Sequence, residues 1–585
     1  MTKSKLPKKK KAKLSAEERK KENIKNAHMR SVRATLRNMG FNRAEELAGA
    51  EIRIKGQAGE FDDAFVYENV ILLLEYTTSQ SSDVTGHLKK KKIIFSNALT
   101  NATETIDYLR RNFLAFDARL GSHFHPDKYI LKIVYCSLNS YDESVKQIVD
   151  EPIYFDYQVL KYFEKVAAAV KLSSLNEFIA FLGIDPLDVA RNGRFPSGAI
   201  VPLKGSMLPE SASGFPRGFK VVSFYADAAN LLDRAYVLRR HGWRGTFQAY
   251  QRMVQQDKID SIRRKLKSNR RVSINNIIAT LPGDVRAVDS SGMTVNISNL
   301  TKVEPVTITL PLRANSIGLI DGQHRLFSYY ESRDDDPRIA SLRLEQNLLV
   351  TGIIYPLDIA QADAERFEAE LFLSINANQT NAPTELRQEI EVFLDPFSPT
   401  AIGKQVVQRL SKTGPLMGHI ENYFFDKGKL KTTTIVSYGL GPLTKLSGND
   451  SLFSLFDHPE KELIPSGRSQ AGLDAYVNFA VTHINMFLGA VKKNVDPNRW
   501  TTSAKVKDRL ITVTYINSFL ITLRLIIESG AVISFDSFKK NLEGIDTFEF
   551  FAYKSSQYYS MAECIFAKHF QSDSAQVGSS TLIDG

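Results

Sequence analysis

Five consecutive aliphatic residues, Val70-Ile71-Leu72-Leu73-Leu74, run directly into a glutamate, Glu75, followed by Tyr76-Thr77. So short a run with no polar side to offer water is a strand buried on both faces, and it commits the surrounding chain to an α/β arrangement. The stretch before it, Glu60-Phe61-Asp62-Asp63-Ala64-Phe65-Val66-Tyr67, is led by acids, and Glu68-Asn69 supplies a turn, so the two read as a β-hairpin. An ionised carboxylate closing a buried strand is costly unless it is paired or bound to metal. A carboxylate on each of two adjacent strands, Asp62 and Glu75, is a candidate Mg²⁺ site. A hard cation takes oxygen ligands, keeps several waters, and polarises one of them for attack on phosphorus.

This hairpin resembles the PD-(D/E)xK restriction-endonuclease-like superfamily, in which an acidic strand is followed by a strand ending in Glu-x-Lys. Thr77 stands where the lysine belongs. A lysine displaced onto the next helix is a variation of that superfamily, and His87-Leu88-Lys89-Lys90-Lys91-Lys92 supplies candidates, of which Lys89 and Lys90 are taken as catalytic. The resemblance implies a helix through Asn97–Asn112 and then a strand at Tyr129–Tyr135. It leaves open a silent domain that binds without cutting, and an unrelated α/β domain with a structural carboxylate.

A second feature is Asp321-Gly322-Gln323-His324-Arg325, preceded by apolar Ser316–Ile320 and followed by Leu326–Glu331, which reads as the opening of a helix. A strand, a glycine turn and a helix start with polar and cationic side chains suit a phosphate, because backbone N–H groups, the helix dipole and a cation converge there. The plain alternative is an ordinary strand-to-helix turn capped by Asp321.

These five residues resemble the motif of the DGQHR-domain family, relatives of the ParB/sulfiredoxin-like fold that include the DndB proteins of DNA sulfur modification. Tyr250-Gln251-Arg252-Met253, followed by Ile259, Ile262 and Leu266, is similar to that family's upstream helix. Leu371–Thr380, with Asn376 and Gln379, is similar to its downstream segment. The resemblance implies nucleotide or phosphate contacts, with ATP or CTP as the cofactor, at Asp321, Gly322, Gln323, His324, Arg325, Gln251, Arg252, Asn376 and Gln379. Asn381-Ala382-Pro383 stands where many relatives carry a lysine.

Charge distribution adds a partner. Residues 1–30 hold twelve Lys and Arg against three Glu, so +9 of the chain's formal +11 lies in that segment. Such a segment tethers to nucleic acid by counterion release, with Lys8, Lys9, Lys10 and Lys11 as its densest part, or serves only solubility. A basic helix at Arg263, Arg264 and Lys267, with Ile259, Ile262 and Leu266 on its apolar side, is a second candidate DNA-binding face. Two cysteines exclude a disulfide framework, and no apolar run reaches the length of a membrane span, so a cytoplasmic location is expected.

The expected organisation is α/β and α+β multidomain. A basic tail and leading helix (1–40, with a helix through Arg30–Leu47) precede a restriction-endonuclease-like α/β domain (41–190). A Gly/Pro/Ser-rich linker (191–214) leads to a ParB/sulfiredoxin-like α+β domain (215–390), opening with a strand and the helical stretch Asn230–Leu266. A helical C-terminal region (391–571) and a small polar tail (572–585) follow. Two functions compete: a Mg²⁺-dependent DNA nuclease gated by the central domain, and a DndB-like DNA-binding regulator that does not cut. Expected partners are DNA and other proteins of a DNA-modification or defence system, with homo-oligomerisation open and no membrane.

Overall fold

The structure, a computed structural model, describes residues 15–79, 81–120, 124–139, 144–189, 202–239, 243–244, 251–379 and 384–571. It is a mixed α/β protein. The described residues up to Ala364 form one compact unit and those from Glu365 onward a second.

Helix α1 spans Ala16–Asn38. It starts well before the expected Arg30 because Ser15 and Glu18 make a reciprocal cap: Ser15 Oγ accepts from Glu18 N at 3.2 Å, and the Glu18 carboxylate accepts from Ser15 N at 2.8 Å. It stops short of Leu47 at Gly40, whose φ of 105° no helix accommodates.

The strands of the first sheet are β1 (Asn42–Arg43), β4 (Asp63–Tyr67), β5 (Val70–Thr77), β6 (Ile130–Ser137) and β7 (Ile153–Phe155), in that spatial order. Between them in sequence, β2 (Glu51–Ile54) and β3 (Gln57–Glu60) make a separate hairpin. β4 runs antiparallel to both β1 and β5, whereas β5, β6 and β7 are parallel. Among the described residues the β5–β6 crossover carries α2 (Ser81–Thr100), α3 (Ala102–Asn112) and α4 (Leu114–Leu120), and the expected helix through Asn97–Asn112 is divided between α2 and α3. Ile71 and Leu73 of β5 pack with Val84, Leu88, Phe95 and Ala98 of α2 and with Ile106 and Leu109 of α3. α1 covers the opposite face, where His28 bonds the Cys136 carbonyl at 3.1 Å. Every residue of β5 is buried, as a parallel strand covered on both sides requires.

Eight strands build the second sheet: β8 (Leu203–Met207), β9 (Lys220–Asp227), β10 (Ala235–Tyr236), β11 (Ile277–Leu281), β12 (Arg286–Val288), β13 (Glu304–Thr309), β14 (Ile317–Asp321) and β15 (Asn347–Ile354). Their spatial order is β10-β14-β11-β15-β9-β8-β13-β12. β8 falls inside the stretch read as a linker. It pairs with β9 and β13, and a Cβ at Gly205 would stand 2.4 Å from the Ser223 carbonyl, so a glycine there permits the pairing. Among its described residues, the expected helical stretch Asn230–Leu266 is instead a short helix (Ala228–Leu232), β10 and a helix at Gln256–Asn269, and Gln251 lies in a bridge to Arg239 outside any helix; residues 240–242 and 245–250, Tyr250 among them, lie outside the described residues.

The second unit is helical. Helices Pro399–Leu410, Gln470–Lys493, Val513–Glu528 and Tyr558–His569 bury Val406, Tyr476, Phe487, Phe519, Leu523 and Ile565 in one core. Among the described residues no helix is long and apolar enough to cross a membrane.

Candidate active site on the first sheet

The β4–β5 register decides which acid faces where. Asp63 stands opposite Leu74, and Ala64 opposite Leu73. Asp62 lies one residue before the paired stretch, where its carboxylate meets the Tyr76 backbone N–H of β5. Cross-strand partners share a face, so Asp63 projects with Leu74 and Tyr76, away from Glu75.

The two aspartates have opposite environments. Asp63 is fully buried, with Arg33 Nε 2.5 Å from Oδ2, Arg43 Nε 2.7 Å from Oδ1, and the Tyr76 hydroxyl donating to Oδ2 at 3.2 Å. A carboxylate so enclosed holds the fold together. Asp62 is partly open, accepting the Tyr76 backbone N–H at 2.8 Å and facing Lys25 Nζ at 3.7 Å.

Glu75 is 3% exposed. Its Oε2 lies 3.1 Å from Lys91 Nζ, which also donates to the Glu60 carbonyl at 3.0 Å, and its Oε1 lies 3.5 Å from His87 Nε2. The His87 Nδ1 lies 3.0 Å from the Tyr135 hydroxyl, and Tyr135 is the β6 neighbour of Glu75 in the parallel ladder. Burial raises the Tyr135 hydroxyl well above its ordinary range, opposed by the neighbouring Thr77 side chain and reinforced by the Glu75 charge, so it remains protonated.

Of the lysines in the run Lys89–Lys92, Lys91 is the one that reaches Glu75. Lys89 and Lys90, expected to be catalytic, are both exposed on α2, and Lys92 donates to the Ile148 carbonyl at 2.8 Å. Helix geometry explains the correction. Val84, Leu88, Phe95 and Ala98 form the buried stripe of α2, and Lys91 occupies the position between Leu88 and Phe95 in that 4-3-4-3 spacing. His87 precedes Lys91 by one turn. That stripe was readable in the sequence and singles out Lys91; His87 and Tyr135 emerge only once the strands are registered.

The Asp321–Arg325 turn is built as expected up to a point. β14 ends at Asp321, Gly322 has φ 100°, and a helix follows, but it is only Gln323–Phe327. Its polar groups face inward. Arg325 Nη2 donates to Asp321 Oδ2 and to the Asn276 carbonyl, each at 2.8 Å. Gln323 accepts from Arg239 Nε and donates to the Arg252 carbonyl, each at 3.2 Å. His324 Nε2 accepts the Gln255 N–H at 3.0 Å; burial, with nearby Lys258, Arg239 and Arg325, lowers its pKa to about 4, so it is neutral near pH 7. Gln251 donates to the Leu319 carbonyl. Buried polar groups require partners, and here the fold supplies them. Arg325 Nε is buried with no partner among the described residues, and the Arg252 side chain is exposed. Asn376 and Gln379 lie in the helix Gln361–Gln379, with side chains outside the described residues.

The candidate DNA-binding cations divide similarly. Arg263 is buried, 3.8 Å from the centre of the Tyr330 ring, and donates to the Ser328 and Tyr330 carbonyls at 2.9 and 3.1 Å. It sits in the stripe Ile259, Arg263, Leu266, so it is a packed residue and corrects the expectation of an exposed phosphate contact. Arg264 is exposed, and Lys267 pairs with Asp336 at 3.2 Å. Lys8–Lys11 lie outside the described residues. Among known proteins, no family model, no curated protein and no solved structure matches this chain.

Proposed function

We propose that the chain is a Mg²⁺-dependent DNA nuclease whose site is formed by Asp62, Glu75 and Lys91. The observation that carries this reading is the ammonium of Lys91, 3.1 Å from Glu75, supplied from α2 on the face where Thr77 stands in place of a lysine. Acidic strand, glutamate strand, crossover helix and parallel strand follow one another in the order the restriction-endonuclease-like resemblance implies.

The donor set fits the ion. Among the described residues no three or more His, Cys, Asp or Glu side chains gather as a metal cage, which disfavours a site that needs four protein ligands. Mg²⁺ is held by one or two carboxylates and retains water, and the neighbouring strands β4 and β5 offer Asp62 and Glu75. Asp62 and Glu75 would hold it, and when bound it supplies a polarised water and charge neutralisation at phosphorus. Lys91 then faces the phosphate as the group that stabilises the charge gathering on its oxygens. Lys89 and Lys90, on the outer side of the same helix, grip the DNA backbone.

The central sheet is read as the DGQHR/ParB-like domain. Support comes from Gln251 meeting the Leu319 carbonyl and Gln323 meeting the Arg252 carbonyl, so two of the family-like segments touch. The turn acts in this reading as a joint. A nucleotide is not assigned to it, because Gln323, His324 and Arg325 are engaged by protein groups. One observation favours the non-cutting, DndB-like alternative: both Glu75 oxygens already face protein groups, an arrangement that stands without metal.

The test is nicking of supercoiled plasmid with Mg²⁺ by the wild type and by Lys91→Met. Cleavage by the wild type and none by the variant supports the nuclease; intact plasmid with both leaves the DNA-binding regulator.

A further inference from the structure

Lys91 donates to acceptors on two different segments, the Glu75 carboxylate of β5 at 3.1 Å and the Glu60 carbonyl at the end of β3 at 3.0 Å. The Glu60 contact belongs to a series, because three consecutive residues rest on α2. Gly59 lies against Ile94, the Glu60 carbonyl accepts from Lys91, and the Phe61 ring stacks on Phe95 with centroids 5.9 Å apart. Asp62 follows at once, tied to the Tyr76 N–H at 2.8 Å. The closest of these approaches depends on a missing side chain. Gly59 pairs with Ile52 across the β2–β3 hairpin, and Ile52 is buried in the same core as Ile94, so a side chain at position 59 would point at α2. A Cβ there would stand 2.8 Å from Ile94 Cγ1 and 3.1 Å from its Cδ1. Carbon atoms in contact sit about 3.5–4.0 Å apart, so an alanine forces strand and helix apart by roughly 0.7–1.2 Å. Ile94 is buried and has little room to yield.

We infer that residues 59–61 are a strap that holds the Lys91 ammonium in place against Glu75, with Gly59 as its positioning residue. The strap rests on the nuclease reading for its purpose but not for its geometry. A lysine two residues beyond the glutamate would be fixed by β5 itself; one supplied from α2 needs a second hold. Lysine is long and flexible, and a single acceptor leaves its ammonium free to swing, whereas two acceptors on separate segments fix it. Widening the gap at Gly59 takes the Glu60 carbonyl out of reach while Glu75 stays where β5 holds it. Lys91 then keeps its charge and its carboxylate partner but loses its fixed place. The strap acts on the reaction only through Lys91: Glu60 by its backbone, Gly59 by having no side chain.

Two measurements on the full chain test this. The first is limited acetylation with acetic anhydride, read lysine by lysine with peptide mass spectrometry in the wild type, Gly59→Ala and the Gly59→Ala/Ile94→Ala double variant. Exposed Lys89, and Lys92, held by the Ile148 carbonyl on the same helix, are the references. Gly59→Ala is expected to raise the Lys91 rate about 5-fold, the factor that loss of one hydrogen bond gives, with Lys89 and Lys92 unchanged. Removing the Ile94 atoms that the new Cβ meets should return Lys91 to near its wild-type rate. An unchanged Lys91 rate in Gly59→Ala overturns the strap, and so does a rise shared by Lys92, which would mean a general loosening of α2. The second measurement is kcat and KM for duplex cleavage with Mg²⁺. Gly59→Ala is expected to lower kcat about 10-fold with KM little changed, and the double variant to recover most of that loss. A substitution that only weakened the fold would be made worse by a second one that opens a cavity, so a double variant no better than Gly59→Ala overturns the inference. If the wild type cleaves nothing, the nuclease reading falls, and the Lys91 acetylation rate alone decides the strap.

Discussion

Asp62 and Asp63 are neighbours in sequence with opposite environments, so the isosteric pair Asp62→Asn and Asp63→Asn is the sharpest perturbation available. In Asp63→Asn a fully buried anion between two guanidiniums becomes a neutral amide. Its NH₂ then faces N–H donors. Removing one member of a buried ionic network costs about 3–5 kcal/mol. The Arg33 and Arg43 side chains are 24% and 21% exposed, so water relieves part of that. About 3 kcal/mol is expected. In Asp62→Asn the amide oxygen still accepts the Tyr76 N–H, and the Lys25 pair at 3.7 Å is largely solvated, so less than about 1 kcal/mol is expected. Urea unfolding followed by tryptophan fluorescence reads this out in a Trp500→Phe background. The chain has two tryptophans, and Trp243, packed 5.8 Å from the Phe181 ring, reports on the first unit. Asp62→Asn is expected to abolish cleavage at near-normal stability, and Asp63→Asn to lower the unfolding midpoint strongly. The reverse pattern would mean that the hairpin register is off by one residue, and the site built on it would fall with it.

Alanine at Lys91 is expected to reduce cleavage by about 10²-fold or more, the scale seen when a group stabilising transition-state charge is removed. Alanine at Lys89 or Lys90 should instead leave turnover intact and lower the salt dependence of DNA binding, by roughly 0.9 in log–log slope for each phosphate no longer neutralised. Arg263→Ala should destabilise by about 2–3 kcal/mol through removal of the Tyr330 stacking and two carbonyl hydrogen bonds, whereas Arg264→Ala should stay within about 0.5 kcal/mol, both read as denaturant midpoints. His324 binds its proton near pH 4 when folded, against about 6.5 when unfolded. The unfolded chain therefore holds more protons between those values, and stability falls as pH drops from about 6.5 to 4, by up to about 3 kcal/mol. His324→Asn should flatten that part of the stability–pH curve; an unchanged curve would mean that His324 is not buried in neutral form.

How much of this was legible in the sequence follows from which interactions are local. Val70–Leu74 announces a doubly covered strand, and Glu68-Asn69 its turn, because strand burial and hairpin turns are written in neighbouring residues. The pairing of Asp63 with Leu74 follows from that turn by counting. The identity of the lysine does not follow from the Lys89–Lys92 run, since consecutive helical residues point in four directions. It required the spacing of Val84, Leu88, Phe95 and Ala98. The same rule sorts Arg263 from Arg264. The Asp321–Arg325 turn is only partly legible for a different reason. Its residue types suit a phosphate, but Asn276, Arg239, Gln255 and Arg252 reach it from distant positions and engage Arg325, Gln323 and His324 internally. Nothing in a pentapeptide reveals partners 49 to 84 residues away.

The central claim is that Asp62, Glu75 and Lys91 make one metal-dependent phosphodiesterase centre. Its most direct test is cleavage of end-labelled duplex DNA with Mg²⁺ by the wild type, Glu75→Gln and the Lys89→Ala/Lys90→Ala double variant. The account predicts cleavage by the wild type, retained cleavage by the double variant at saturating DNA, and none by Glu75→Gln. Equal cleavage by the wild type and Glu75→Gln would contradict it.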